Sequence, residues 1–141
     1  MQHQSGWIIA VMVAAVLPLA GCGKGTAKTT PEAPATVEKQ ESGIGRITLK
    51  GRAAERLGIE FAEVTKSGQR LEAPYNALLY DASGGEWVFI SPQPNVFTRT
   101  AIKVELIEGD RIYFSKGPAL GTKLVTSGIA QLYGIEFGVG K

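Results

Sequence analysis

The sequence predicts a mainly β fold: a small single β domain of the roll or barrel type with two short helical turns, preceded by a signal peptide and a flexible tether. Three observations lead to this prediction. Branched and charged residues alternate in the second half of the chain. Turn sequences with glycine or proline separate these stretches. The first 42 residues consist of an apolar run and then a polar segment. We therefore expect boundaries at residues 1–21, 22–42 and 43–141.

The first segment has the features of an export signal. Residues 7–20 form an apolar stretch of about 14 residues, which suits a signal-peptide core and is shorter than the ~20 residues that span a bilayer. Residues 19–22 (LAGC) resemble the lipobox of bacterial lipoproteins, in which the cysteine is lipidated and the preceding peptide is removed. We therefore expect lipidation of Cys22 and a periplasmic protein anchored to a bacterial membrane. Whether this is the inner or the outer membrane stays open.

The second segment is expected to be a flexible tether. Residues 24–42 are rich in Lys, Thr, Ala, Pro and Glu and contain almost no large apolar side chains. Such a composition cannot bury enough surface to offset the entropy lost on ordering. The remaining residues 43–141 suffice for one small domain with a modest core.

The residue counts exclude several kinds of active site from the folded region. The only cysteine is Cys22, the only histidine is His3, and both methionines, Met1 and Met12, precede the predicted cleavage site. A disulfide framework, a Cys/His zinc site, a cysteine nucleophile and a Ser-His-Asp triad therefore cannot form there. We expect no enzymatic activity, no cofactor and no metal.

The charged residues give no sign of a nucleic-acid or calcium site. The formal net charge is +2, and this near-balance of charges gives no support to nucleic-acid binding. Residues 81–86 lack the alternating oxygen ligands of a calcium loop. We expect the acids Asp81, Glu86, Glu108 and Asp110 to be solvated turn residues.

Turn chemistry predicts the strands in order. Residues 75–80 and 86–90 flank the turn sequence 81–85 (DASGG), which predicts a hairpin. Residues 96–106 alternate branched and charged side chains and form the clearest predicted strand, with a branched face inward and a charged face outward. Residues 108–110 (EGD) then turn the chain into a second hairpin. Shorter predicted strands follow at residues 111–114 and 124–126.

Two short helical turns have the same sequence pattern. Residues 52–57 precede Gly58, and residues 129–133 precede Gly134; in each case Ile-Glu-Phe follows the glycine. Glycine suits the end of a helix because the next residue often needs positive φ. We therefore expect two similar corners, each made of a helical turn, a glycine and a strand.

An ordered series of short stretches carries a family resemblance: residues 47–59, 74–81, 86–89, 97–99, 108–110, 120–128 and 132–140. Together they resemble periplasmic adaptor subunits, the membrane fusion proteins of resistance-nodulation-division efflux pumps. Residues 132–140 are similar to the terminal motif of many adaptors, and residues 47–59 resemble the opening of their folded region. The resemblance covers most of residues 47–140.

The resemblance implies a particular part of an adaptor. In the family, the beginning and end of the chain combine into a membrane-proximal β domain that packs on the inner-membrane transporter. Full adaptors insert a lipoyl-like domain, a helical hairpin and a β-barrel between these ends, whereas here Val64 is joined to Leu71 by residues 65–70 alone. The resemblance thus implies a truncated or accessory adaptor that binds a transporter or full-length adaptor subunits.

The residues that would contact such partners are expected on the long strand and its neighbour. We select the charged side chains of Arg99, Lys103, Glu105 and Arg111, which the alternation places at the surface. Charge pairs of this kind steer association between proteins. Trp87 and Phe89 are expected in the core.

Two other interpretations stay open. A pocket lined by Phe61, Trp87 and Phe114 would make the domain a binding module for a small apolar molecule. Alternatively, the chain is a remnant of an adaptor that folds but has no partner.

Overall fold

Two antiparallel sheets and two helices make up the part of the chain, residues 33–139, that the computed structural model describes, so the predicted mainly β fold is confirmed. The strands are β1 (Ala35–Lys39), β2 (Gly45–Leu49), β3 (Glu60–Glu63), β4 (Thr65–Ser67), β5 (Arg70–Pro74), β6 (Leu79–Tyr80), β7 (Glu86–Gln93), β8 (Val96–Ala101), β9 (Lys103–Glu108), β10 (Arg111–Lys116) and β11 (Lys123–Ser127). The helices are α1 (Ala53–Arg56) and α2 (Ile129–Phe137). Among these residues no helix is long and apolar enough to cross a membrane.

The first sheet joins the two ends of the described chain. Its strand order is β1-β2-β8-β7-β11-β3, and β6 pairs with β7. The early strand β3 therefore pairs with the late strand β11, and α2 contacts β2. The second sheet has the order β4-β5-β10-β9.

The central strands of the first sheet are buried on both faces. Val88 and Phe89 are adjacent on β7, yet both are fully buried, and they belong to different apolar clusters. Phe89 packs with Phe97 and with Leu132 of α2, whereas Val88 packs with Phe114 of the second sheet. Because successive side chains of a strand point to opposite faces, the helices cover one face and the second sheet covers the other.

Both hairpins expected from turn chemistry are confirmed. Strands β6 and β7 pair across residues 81–85, and β9 and β10 pair across the turn at Gly109 (φ 59°). Residues 75–80 do not form one strand, however. They begin with a 3-10 turn, Tyr75–Ala77, and only Leu79–Tyr80 is paired.

The prediction of one long strand is wrong, because the chain passes from the first sheet to the second within these residues. Residues 96–106 divide at Ile102 into β8 of the first sheet and β9 of the second. The Ile102 side chain is buried in the apolar cluster between the sheets, and its N–H donates to the Glu86 carbonyl. The alternating residues therefore belong to strands of two different sheets.

The predicted tether is too long at its carboxyl end. Residues 35–39 form β1, which pairs in register with β2 from Ala35↔Leu49 to Lys39↔Gly45. Val37 packs on the cluster on the helical side of the first sheet. The ladder hydrogen bonds and this contact give order to a segment whose composition alone predicts none. The cleavage site and Cys22 lie outside the described residues.

Only one of the two glycine corners forms as expected. Helix α1 ends before Gly58, which has φ 62°. Helix α2 instead continues through Gly134 and residues 135–137, and ends at Gly138 with φ 71°. The expected strand after Gly134 is therefore wrong.

The two glycines are expected to respond oppositely to alanine. Gly134→Ala should raise the free energy of unfolding by about 1 kcal/mol, because alanine is the better residue in a helix interior. A Cβ there would meet only the Val139 Cβ, at 4.0 Å. Gly58→Ala should lower it by about 1 kcal/mol, because an L-residue is strained at positive φ. Urea unfolding of both variants checks this; destabilisation by Gly134→Ala would contradict the continuous α2.

Candidate functional site

Arg99 is buried, so the prediction that its side chain lies exposed at the surface is wrong. Its side chain is 8% exposed and that of Glu136 on α2 is 3% exposed. Arg99 Nε donates to Glu136 Oε2 at 3.0 Å, and Nη2 donates to Oε1 at 3.2 Å. The alternation of β8 does place Arg99 on one face, but α2 covers that face. Arg99 thus joins two elements of this chain.

The ion pair is completed by a backbone donor and by aromatic rings. Glu136 Oε1 also accepts the N–H of Gly45 on β2 at 3.0 Å. A Cβ at position 45 would lie 2.8 Å from the Glu136 Cγ, so glycine is what lets β2 approach. The Arg99 guanidinium carbon lies 4.2 Å from the ring centroid of Trp87 and 5.3 Å from that of Phe137. Such cation–π contacts favour the charged arginine in a partly dry site.

An open cleft lies beside this pair. It has a volume of about 450 Å³, and its lining residues are Asp81, Ala82, Ser83, Trp87, Arg99, Tyr133 and Phe137. Phe89 is fully buried, which confirms its place in the core, whereas Trp87 is only partly buried. The positive charge of Arg99 is already matched by Glu136, so the cleft has no free cation to select an anion.

Asp81 organises the turn at the rim of the cleft. Its Oδ1 accepts the N–H and hydroxyl of Ser83 at 2.9 and 2.8 Å and the N–H of Gly85 at 2.7 Å. Its Oδ2 accepts the Trp87 Nε1–H at 2.8 Å. These hydrogen bonds, with that of the Ser83 hydroxyl the largest cause, lower the pKa of Asp81 to about 2. Asp81 is therefore a partly exposed turn residue whose carboxylate also has a structural role in the hairpin.

The other three predicted contact residues lie on the second sheet. Lys103 and Glu105 are exposed on β9, and Arg111 is partly exposed on β10. Glu105 accepts the Ser115 hydroxyl and lies 3.8 Å from Arg70 Nε. The structure thus brings three of the four residues to one sheet and leaves Arg99 elsewhere.

Arg111 is tied to its neighbours on the same sheet. Its Nη2 lies 2.6 Å from Glu72 Oε1 and donates to the Thr65 hydroxyl at 3.2 Å. The hydrogen bond with Arg111 is the main cause that lowers the pKa of Glu72, and Glu72 in turn raises the pKa of Arg111. Lys103, by contrast, forms no ion pair within residues 33–139.

The free edge of the second sheet carries apolar side chains that the sequence did not single out. Within the described residues β9 pairs only with β10, and its Leu106 and Ile107 are 40% and 46% exposed. Tyr75, 45% exposed, follows β5 on the other side of β10, and its N–H donates to the Asp110 carbonyl in the β9–β10 turn at 2.7 Å. We call Leu106, Ile107 and Glu108 the β9 edge surface. An apolar edge strand is a template for pairing with another chain.

The first part of this edge is already capped. The Val104 N–H donates to Glu86 Oε2 at 2.9 Å, so a carboxylate takes the place of a neighbouring strand there. A new strand would therefore meet β9 near Leu106 and Ile107. Continuous alternation placed Leu106 inward; the change of sheets at Ile102 is what exposes it.

The predicted apolar pocket does not form. Phe114 is fully buried between the sheets. Phe61, by contrast, is 47% exposed and stacks on Phe97, with 6.2 Å between the two ring centroids. Trp87 instead packs against the Arg99 guanidinium group. Among the described residues, no group of three or more His, Cys, Asp or Glu side chains could hold a metal ion.

Comparisons of this chain with protein-family models, with curated proteins and with solved structures find no match.

Removal of Arg99 should strongly destabilise the domain. Arg99→Ala leaves Glu136 buried and unpaired, so we expect a loss of about 3–5 kcal/mol in the free energy of unfolding. The double variant Arg99→Met, Glu136→Leu should recover much of this loss, because neither charge then stays buried. Urea unfolding of Arg99→Met, of Glu136→Leu and of the double variant measures the coupling between the two side chains. Arg52→Ala, which removes an exposed pair with Glu55, is the control and should change little. Additive effects of the two single changes would contradict the assignment.

Asp81 should make the domain sensitive to acid. Because the folded pKa is lowered, to about 2, the stabilisation is present above the unfolded pKa of about 4 and is lost as the pH falls from about 4 through 2. In the Asp81→Asn variant, the free energy of unfolding should decrease less between about pH 4 and pH 2 than in the unaltered protein. Thermal unfolding at a series of pH values measures it. An unchanged pH profile in the variant would show that Asp81 titrates normally.

Proposed function

We propose that the protein is a non-enzymatic periplasmic lipoprotein that acts as a truncated or accessory adaptor component of a resistance-nodulation-division efflux complex. It binds the transporter or full-length adaptor subunits through its β domain, and the lipid on Cys22 holds it at the membrane. The resemblance in residues 47–140 is the starting point.

The joining of the chain ends in one sheet carries the proposal. The membrane-proximal domain of adaptors is expected to combine the beginning and the end of the chain, and here β3 pairs with β11 and β2 with β8. At the place where full adaptors insert their middle domains, β4 and β5 form a tight hairpin with Ser67↔Arg70 pairing and Gly68 at φ 60°. The domain therefore closes without the inserted part.

The β9 edge surface is the proposed docking face. It combines a free strand edge with exposed apolar side chains and a flanking acid, Glu108. A partner strand added there would gain main-chain hydrogen bonds, and Leu106 and Ile107 would become buried. Lys103, at the other end of β9, is free to influence the rate of association.

Photocrosslinking in the native host tests this docking face. A photoactivatable residue replaces Ile107 in the full-length protein, and the matched control carries it at Leu120, which is 60% exposed in the β10–β11 connection. We expect position 107 to give adducts with an efflux transporter or a full-length adaptor, identified by mass spectrometry, and position 120 to give none. A folded, membrane-bound protein without such adducts at position 107 would contradict the proposal.

A further inference from the structure

An apolar groove lies on the helical side of the first sheet. Its walls come from β1, β2, α1 and α2, and its volume is about 230 Å³. We name it the α1–α2 groove; it is lined by Pro34, Ala35, Leu49, Ala53, Arg56, Leu57 and Ile135. It is separate from the β9 edge surface and from the cleft beside Arg99.

The lining favours a narrow, unbranched apolar ligand. Six of the lining side chains are aliphatic or proline, and Arg56 is the one polar group. The volume corresponds to roughly seven or eight groups of the size of a water molecule. A ligand with many polar atoms would lose its hydration there without finding hydrogen-bond partners. A hydrocarbon chain has no such penalty.

Arg56 supplies a free positive charge at the rim. Its side chain is exposed and forms no ion pair within residues 33–139. Arg52, one turn earlier on the same helical segment, is instead paired with Glu55 at 2.8 Å. A guanidinium group matches the geometry of a phosphate, to which it can donate two hydrogen bonds. The groove therefore combines a site for hydrocarbon with a site for one anion.

The groove is close in sequence to the predicted lipid anchor. Pro34 lines it and is 12 positions after Cys22. A chain of that length spans at most about 40 Å when extended. The nearness of the groove to a bilayer rests on the lipid anchor, which is part of the proposed function. The apolar lining and the charge of Arg56 are observed independently of that anchor.

We infer that the α1–α2 groove binds a segment of one acyl chain of an anionic membrane phospholipid, with the lipid phosphate held by Arg56. The lipid would fix the orientation of the domain at the membrane, which an anchor on a tether alone does not do. Hydrophobic contact along the chain and one charge-assisted contact at the head group are both needed for selection of this ligand.

Native mass spectrometry of the full-length protein, purified from host membranes and stripped of bound lipid in mild detergent, tests this inference. Phosphatidylglycerol is added in increasing amounts, with phosphatidylcholine as the zwitterionic comparison. We expect one phosphatidylglycerol per protein. Arg56→Glu should weaken its binding by about tenfold, because reversal of a basic charge removes one attraction and adds a repulsion. Arg52→Glu is the matched control on the same segment and should leave binding within about twofold.

A second variant tests the apolar part. Ala35→Phe, at a partly exposed position of β1, should fill the groove and abolish binding while circular dichroism shows an unchanged fold. Equal weakening by Arg56→Glu and Arg52→Glu, or equal binding of the two lipids, would overturn the inference in favour of unspecific attraction. Absence of phosphatidylglycerol binding would also overturn it, and would indicate that another segment of the chain occupies the groove.

The same spectra separate this inference from the anchor. The intact mass reports whether Cys22 carries lipid. Arg56-dependent binding to a protein without lipid on Cys22 would support the groove and contradict the anchor. A protein that carries lipid on Cys22 but shows no Arg56-dependent binding would support the anchor and contradict the groove.

Discussion

The buried ion pair between Arg99 and Glu136 is the contact on which the arrangement of the first sheet depends. Both carboxylate oxygens of Glu136 are used: Oε2 accepts from Arg99, and Oε1 accepts from Arg99 and from the Gly45 N–H. Burial of two charges costs several kcal/mol, and close geometry with satisfied hydrogen bonds is what offsets this cost. The pair therefore fixes the position of α2 over β2 and β8 more than it adds stability.

The position of α2 determines the surfaces on this side of the domain. With Glu136 held inward, Tyr133 and Phe137 lie at the cleft beside Arg99, and Ile135 forms part of the α1–α2 groove. The change of sheets at Ile102 has the matching effect on the other side. It leaves Arg99 in the first sheet and places β9 at the free edge of the second. One stretch of chain thus supplies both the central ion pair and the proposed docking edge.

The sequence predicted those features that depend on local chemistry. The hairpins at residues 81–85 and at Gly109, and the end of α1 at Gly58, follow from turn residues and positive φ. It could not predict features that depend on distant residues. The partner of Arg99 is 37 positions away, and a period of two continues unchanged where a strand passes from one sheet to another. Alternation alone therefore assigned Arg99 to the surface and Leu106 to the core.

The same reason explains the two errors near the chain ends. A glycine costs about 1 kcal/mol inside a helix, which argued for an end at Gly134. Burial of Leu132 before this glycine and pairing of Glu136 after it outweigh that cost. In residues 35–39, a polar composition argued for a tether, but the ladder with β2 and the contact of Val37 order the segment.

Amide hydrogen exchange measured by NMR tests most directly whether the Arg99–Glu136 pair holds the two ends of the chain together. If it does, the Gly45 amide and the amides of α2 exchange through one common opening in the unaltered protein. Arg99→Met should then remove the protection of both together, while the amides of β9 and β10 keep more of theirs. The account would be contradicted if the α2 amides exchanged independently of the Gly45 amide, or if they kept their protection in the Arg99→Met variant.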